Sequence, residues 1–317
     1  MIWSPSLVIT ASSETGGAGT VPGDDSYRNG SAAQTGGVMS VPKKLLGLRR
    51  GRSGRSPWIM NADAVRAREG FMPKANEHVV VIGGTSGIGL SLARAAHALG
   101  CKLTIGGRGA ERVSEIAKSI GPGVTGLHVE LDDPASIRAG FTAGPAIDHL
   151  VLVPIDQLAT NVKNFDVSAA NKAVHVKLTG YIELVHTVLP RLKPTSSIVL
   201  FSGLAKAQPY PNATMITVVN AGIIGMMRTM AVELAPIRVN SISPCLIPDS
   251  PKWEAARKGT GAFGGAGVGA FIEAVAKQAP SRRLPTVNDV IHGVFFLLDN
   301  QGMNGHDLEI DSGLQLI

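Results

Sequence analysis

Apolar positions along the chain fall into short continuous runs that alternate with longer stretches of helical period. The runs at 79–82 and 148–153 are typical of strands buried on both faces of a parallel sheet. The stretch 213–234 repeats its apolar residues about every 3.6 positions, which predicts a long helix. This alternation predicts an α/β fold built on a doubly wound parallel sheet. The predicted strands are 79–82, 102–105, 126–131, 148–153 and 197–202, and the predicted helices include 91–99, 110–119, 174–189 and 213–234.

A cluster of glycines separates the first predicted strand from the first predicted helix. Glycine permits a tight turn and lets the backbone come close to a bound anion, which the free N–H groups of the helix N-terminus then face. The sequence therefore predicts a pyrophosphate site in this turn, with a ligand-free βα turn as the alternative. The residues assigned to the site are Gly83, Thr85, Ser86, Gly87, Ile88 and Gly89.

The spacing Gly83-x-x-x-Gly87-Ile88-Gly89 resembles the Thr-Gly-x-x-x-Gly-Ile-Gly motif of the short-chain dehydrogenase/reductase family, with Ile82 in place of the threonine. Segments 237–244 and 304–313 resemble the family's sixth strand and its final strand. The resemblance runs from about residue 76 to 317. It implies a Rossmann-type domain that binds a nicotinamide dinucleotide, acts on a small-molecule substrate and assembles as a homodimer or homotetramer.

The end of the second predicted strand indicates which cofactor is bound. An acidic residue there would accept the ribose 2′-hydroxyl of NAD and repel a 2′-phosphate, but the chain has Arg108. A guanidinium makes charge-assisted bonds to a phosphate, which favours NADP; the alternative is a surface arginine paired with Glu111. Within the resemblance, Glu130 falls where an acid often contacts the adenine, and Leu131 would offer backbone contacts.

The catalytic motif of the family is missing. Family enzymes use a Tyr as general acid/base and a Lys four residues later, which lies on the same helix face. None of the three tyrosines is followed by Lys at that spacing. Carrying the resemblance through the helix puts Ile216 at the Tyr position and Asn220 at the Lys position. The family's Ser falls at Ser202 or Gly203, and its Asn falls at Lys177.

Losing a general acid typically costs about 10²–10⁴ in rate. Since the Tyr and the Lys are both absent, any remaining catalysis must use other groups. We expect Lys177, Ser202 and Asn220 to carry it. An ammonium near the nicotinamide would polarise a carbonyl, or would supply a proton if burial lowers its pKa. The alternative for Lys177 is a surface lysine, or one whose apolar stem is buried while its charged end reaches water. Other groups expected at the cleft mouth are Asp156, Tyr210, Asp249 and Trp253.

Three functional hypotheses follow. The first is an NADP-dependent oxidoreductase with a non-standard site, which reduces a carbonyl or imine-type small molecule; some reductases that the chain resembles act in secondary metabolism. An iminium substrate would need no protonation by the enzyme. The second is an isomerase or cyclase that keeps the cofactor site for architecture. The third is a cofactor-binding regulatory protein without catalysis.

Composition limits the partners. The net charge of +6 is uneven: residues 1–70 hold nine Lys/Arg and five Asp/Glu, whereas the remainder holds 21 and 19. The folded part is thus nearly neutral, and no nucleic-acid partner is indicated. No apolar run approaches a membrane span, so no membrane partner is expected. Two cysteines, Cys101 and Cys245, fit a reducing, cytoplasmic location.

The first part of the chain differs from the rest. Residues 1–72 are rich in Gly, Ser, Ala and Thr and have no sustained periodicity, which predicts a disordered or artefactual extension. Residues 73–317 are expected to form the Rossmann-type domain. No metal site is expected.

Overall fold

The computed structural model describes residues 71–155, 160–258 and 267–317. Residues 1–70, which include nearly all of the predicted extension, lie outside these ranges. The described chain confirms the predicted α/β fold, a seven-stranded parallel sheet with helices on both faces. The strands β1 to β7 are His78–Ile82, Lys102–Gly107, Thr125–His128, Ile147–Leu152, Leu192–Phe201, Arg238–Pro244 and Asp307–Ile310. The helices α1 to α9 are Gly87–Ala98, Ala110–Ile120, Pro134–Gly140, Val167–Val174, Gly180–Val188, Thr214–Glu233, Pro251–Arg257, Val268–Gln278 and Val287–Asp299.

The order of the strands determines where a ligand can bind. The sheet runs β3-β2-β1-β4-β5-β6-β7, so successive strands are added on one side of β1 up to β3 and on its other side from β4 onward. In open parallel sheets, ligands bind in the crevice outside the carboxyl ends of the strands at this reversal of the strand order. The ends of β1, β2, β4 and β5 are therefore the segments that position a site.

Each face of the sheet has its own apolar core, which explains the continuous apolar runs. Val79 and Val81 of β1 point to a cluster that includes residues of α1, α2 and α9. Val80 and Ile82 point to the opposite cluster, which α3, α5 and α6 cover. A strand covered on both sides gains burial free energy at every position, so no polar alternation survives in its sequence.

Four predicted boundaries were wrong by three residues or more. Helix α1 begins at Gly87 instead of residue 91, and β5 begins at Leu192 instead of residue 197. The helix predicted over 174–189 begins at Val167, because the Asp166 carboxylate accepts the backbone N–H groups of Ser168 (2.8 Å) and Ala169 (3.1 Å) as an N-cap. A π-helical turn, His175–Thr179, then joins α4 to α5 and departs from the 3.6-residue period of a regular helix. Strand β3 ends at His128 instead of residue 131, because the chain turns at Glu130.

Helix α6 corrects the expectation that no segment reaches the length of a membrane span. By length and composition alone it could cross a membrane, with a mean hydropathy of 1.5 over its most apolar window. Nearly half of that window is buried inside the molecule, and Ile223 and Met227 lie in the core under the sheet. Packing against the sheet therefore accounts for the apolar composition of this helix.

Candidate active site

The glycine turn joins the carboxyl end of β1 directly to α1. Gly83 (φ +83°) and Gly87 (φ +57°) adopt left-handed backbone conformations that other residues rarely tolerate. Ser86 precedes the first helical residue, and its side chain makes no capping bond to the helix. Ile88 packs against the core and anchors the turn. The hydroxyl of Ser86 and the N–H groups of the first helical turn are thus available to an anion.

An open pocket of about 480 Å³ lies beside this turn. Arg112, in the first turn of α2, joins Arg108 in its wall; the sequence prediction missed this residue, although it follows Arg108 by four positions. A Cβ placed on Gly107 would lie 2.8 Å from Cγ2 of Thr85, so the Thr85 side chain reaches over the end of β2. Among the described ion pairs, none joins Arg108 to Glu111. The pocket is lined by Thr85, Ser86, Arg108, Gly109 and Arg112.

Glu130 and Leu131 lie in the loop after β3. The Glu130 carboxylate is 3.1 Å from Nε2 of His128, and both side chains are partly exposed. Leu131 is buried. A Cβ atom placed on Gly180 would lie 2.2 Å from the carbonyl oxygen of Leu131. Leu131 therefore sets the approach of α5 to the sheet, whereas the adenine contacts of both residues stay a prediction.

A tyrosine that the sequence prediction did not assign holds the end of β4. The Tyr181 hydroxyl lies 2.7 Å from the carbonyl oxygen of Pro154 and 3.1 Å from that of Leu152. Burial raises the pKa of Tyr181 well above its usual value, so it stays a neutral hydrogen-bond donor. Pro154 in turn packs on the glycine turn, 3.0 Å from the position of a Cβ on Gly83. Tyr181 thus fixes the β4 end of the crevice against the β1 end.

The three residues predicted to carry catalysis meet at the carboxyl end of β5. Lys177, in the π-helical turn, is only 1% exposed, so it is not a surface lysine. Its Nζ donates to Oδ1 of Asn220 at 2.8 Å and lies 3.5 Å from the backbone carbonyl oxygen of Ser202. The Ser202 hydroxyl donates to the backbone carbonyl of Asn220 at 2.9 Å.

The burial of Lys177 changes its acid–base behaviour. Burial lowers the pKa of this amine to about 7, because a buried charge loses its hydration. Among the described residues, Lys177 forms no ion pair with a carboxylate. An amine that titrates near neutral pH is suited to exchange a proton at the site.

Helix α6 presents Ile216 and Asn220 one turn apart on the same face, as the family's Tyr and Lys would be. Ile216 is 8% exposed and packs in a small apolar cluster with Ala205, Ala213 and Ile155. It has no transferable proton. The side of the site where the family has its general acid is therefore apolar in this chain.

The groups expected at the cleft mouth have separate structural surroundings. The Asp249 carboxylate accepts the backbone N–H of Val287 at 3.0 and 3.2 Å, at the start of α9. Trp253 stacks at a tilt on Phe271, with ring centroids 6.3 Å apart. Tyr210 is half exposed. Asp156 lies outside the described residues, as do residues 259–266 of the glycine-rich stretch that follows α7.

Cys245 follows directly after the end of β6 and is partly buried. Burial, and next the carboxylate of Asp311, raise the pKa of this thiol to about 12. A thiol with so high a pKa is neither a nucleophile nor an acid at neutral pH. Cys245 is therefore a packing residue.

Comparison with known proteins shows which family and which fold the chain shares. The model of the family described as "Enoyl-(Acyl carrier protein) reductase" matches residues 83–315. The "Short-chain dehydrogenase/reductase malC" of Malbranchea aurantiaca is 24% identical over 262 residues, which are 76% of this chain and 95% of that protein. Two solved structures share the fold. A "small-chain dehydrogenase in complex with NADPH" superposes with a TM-score of 0.62 at 26% identity, over 76% of this chain and all of the other. The "MalC Reductase/Diels-Alderase from Malbranchea aurantiaca" superposes with a TM-score of 0.67 at 21% identity, over 77% and 97% of the two chains.

Proposed function

This chain belongs to the short-chain dehydrogenase/reductase family, and we propose that it is an NADP-dependent oxidoreductase whose catalytic site departs from the family pattern. The observation that carries the proposal is the pocket that Arg108 and Arg112 share with Thr85 and Ser86 beside the glycine turn. Its substrate is a small molecule with a carbonyl or imine-type group.

The residues of the crevice fit NADP. Two guanidinium groups and two hydroxyls supply positive charge and donors for a 2′-phosphate, and β2 ends without an acid that would repel it. At Gly87 no atom lies within 4 Å of a Cβ position, so a pyrophosphate can approach the N-terminus of α1. When bound, NADPH supplies a hydride. One solved structure that the chain resembles is a complex with NADPH.

Proton chemistry then rests on Lys177. Ile216 has no proton that it can transfer. The Ser202 hydroxyl donates a hydrogen bond to the backbone of α6, so Ser202 holds that helix against β5. Lys177, with a pKa of about 7, is the group able to release a proton near Asn220. An iminium carbon is already activated and accepts hydride without protonation. A site with no exposed acid therefore suits an iminium better than an unactivated ketone.

The first test is a titration with NADPH and NADH, followed by nicotinamide fluorescence. We expect NADPH-selective binding, and then loss of NADPH absorbance when cyclic iminium ions are supplied. Simple ketones should react more slowly by about 10²–10⁴, the usual contribution of a general acid. Binding to neither cofactor would contradict the proposal.

A cyclase or isomerase is the second candidate, favoured by the apolar cluster of Ile216 and Ile155 at the position of the missing general acid. One relative of similar fold is described as a reductase/Diels-Alderase. Product formation with no net loss of NADPH would support this candidate. Tight NADPH binding without conversion of any tested substrate would instead indicate a regulatory protein.

We also propose that the protein assembles as a homodimer or homotetramer through the outer faces of α5 and α6. These helices carry exposed apolar side chains: Ile182 on α5, and Val218 and Val232 on α6. Val232 is 78% exposed, and a second copy that covered it together with Val218 and Ile182 would remove this apolar surface from water. Both cysteines are free, which supports a cytoplasmic location.

A further inference from the structure

The amine and the carboxamide of the site have exchanged helices relative to the family pattern. In that pattern the long helix supplies the Lys and the preceding helix supplies the Asn. Here α6 supplies Asn220 and the π-helical turn supplies Lys177. The two side chains touch, with Nζ 2.8 Å from Oδ1. The exchange keeps the pair together but changes which group can face a ligand.

The contact with Lys177 fixes the orientation of the Asn220 carboxamide. Because the oxygen accepts from Nζ, the –NH₂ end must point the other way. It points over Gly203: a Cβ placed there would lie 2.8 Å from Nδ2 and 3.6 Å from Oδ1. Gly203 follows Ser202 at the carboxyl end of β5, the edge at which parallel sheets bind ligands.

Position 203 therefore has space for the carboxamide only because it is glycine. A side chain there would collide with Nδ2, so Gly203 and Asn220 are compatible as a pair. The backbone of Asn220 is held as well, since its carbonyl accepts from the Ser202 hydroxyl at 2.9 Å. The main chain of Asn220 is thus held from the sheet by Ser202, and its side chain is held from the π-helical turn by Lys177.

We propose that Lys177 is a positioning residue that turns the Asn220 carboxamide so that its N–H groups donate to the nicotinamide half of the bound cofactor. This inference rests on the proposed function, because it needs a bound NADP. Asn220 is then the residue that touches the cofactor, as a neutral donor in place of the family's ammonium. Toward the cofactor, Lys177 acts through Asn220.

The decisive variant is Asn220→Asp. It keeps an oxygen that accepts from Lys177 but removes both N–H donors. We expect it to weaken NADPH binding about tenfold, the loss typical of one hydrogen bond in a buried site. Binding of adenosine 2′,5′-bisphosphate, which lacks the nicotinamide half, should stay within about twofold of the wild-type value. The thermal unfolding midpoint should not fall, because the bond to Lys177 is kept.

The companion variant is Lys177→Met, which leaves the donors in place but frees the carboxamide to rotate. We expect a smaller, selective loss of NADPH affinity, with Lys177→Gln as a substitute if the methionine variant does not fold. Lys172→Met is the matched control, because Lys172 is an exposed lysine on α4 that pairs with Asp132 at 3.6 Å. It should bind both ligands like the wild type.

The outcomes separate this inference from the proposed function. If the wild type binds NADPH and Asn220→Asp binds it equally well, the donor role is overturned while the oxidoreductase proposal stands. An equal loss of NADPH and of adenosine 2′,5′-bisphosphate would also overturn it, since the effect would then be general. If the wild type binds neither ligand, both proposals fail together.

Discussion

A Cβ atom placed on Gly89 would lie 2.2 Å from the carbonyl oxygen of Gly83. The first turn of α1 therefore crosses the end of β1 at backbone contact distance, which only glycine allows. This contact explains the tight spacing of the motif. It brings the N–H groups at the start of α1 to the carboxyl end of β1, where an anionic ligand meets them.

Replacing Gly89 with alanine should therefore destabilise the fold. The added methyl group must displace backbone rather than a flexible side chain, so we expect a loss of about 1–3 kcal/mol in the free energy of unfolding. Gly225→Ala on α6 is the control, because no atom lies within 4 Å of its Cβ position. That change should stabilise the helix by about 0.5–1 kcal/mol. Urea unfolding of both variants checks this, and an unaffected Gly89→Ala protein would contradict the close contact.

Replacing Arg108 with aspartate should reverse the cofactor preference. A charge-assisted bond to phosphate contributes about 1.5–3 kcal/mol, and the new carboxylate would repel the 2′-phosphate. NADPH affinity should fall by about 10–100-fold, while NADH affinity stays similar or rises. Arg94→Asp, at an exposed position of α1, controls for the change in net charge. Equal losses for the two cofactors, measured by fluorescence titration, would rule out the 2′-phosphate assignment.

The buried amine of Lys177 should make the free energy of unfolding depend on pH. Its pKa is about 7 in the folded protein and 10.5 in a model peptide, so the unfolded chain binds more protons between these values. The free energy of unfolding of the wild type should thus rise with pH from 7 to 10.5, by up to about 1.4 kcal/mol per pH unit. Below pH 7 the cost of burying the charge is fully present.

Lys177→Met lacks this dependence. Its stability relative to the wild type should be greatest below pH 7 and should decline as the pH rises towards 10. The unsatisfied oxygen of Asn220 adds a constant loss, so the slope is the informative quantity. Urea unfolding across this pH range measures it, with Lys172→Met as control. Parallel curves for the wild type and Lys177→Met would show that the amine is not buried in solution.

Restoring the family's catalytic set requires Lys177→Asn, Ile216→Tyr and Asn220→Lys, together with Gly203→Ser where the family's Ser falls at Gly203 instead of Ser202. Asn220→Lys alone would put a second amine beside Lys177, and Gly203→Ser alone would collide with Asn220. We expect the combined variant, with Lys177→Asn and Ile216→Tyr, to gain ketone reduction by about 10²–10⁴. The same set with Ile216→Phe lacks only the hydroxyl and is the control. If the tyrosine and phenylalanine versions consume NADPH at equal rates, Ile216 does not occupy the general-acid position.

The exposed valines of α6 should mark the subunit contact. We expect light scattering to show a dimer or tetramer, and Val218→Asp together with Val232→Asp to shift the protein to a smaller species. A charge buried in an apolar interface loses its hydration without a partner. The same double change to threonine is a milder control. A monodisperse wild-type monomer would contradict the assembly proposed for these helices.

The fold was predictable because its signals are local. Strand β1 and the glycine turn lie within one short segment, and burial of β1 on both faces left an uninterrupted apolar run. The predicted boundaries were wrong where the backbone departs from regular helix or strand geometry. The π-helical turn interrupts the helical period, and β3 ends early because the chain turns at Glu130.

Local patterns in the sequence were enough to predict the sheet and the glycine turn, and they showed Arg108 and the loss of the family's Tyr and Lys. They could not place Arg112 in the same pocket, make Tyr181 the support of β4, or show that Lys177 is buried against Asn220. Those facts depend on contacts between residues far apart in the chain, such as the 43 positions that separate Lys177 from Asn220. Side-chain spacing along a helix or strand is fixed by backbone geometry, but burial and its effect on a pKa are fixed only when separate elements pack together.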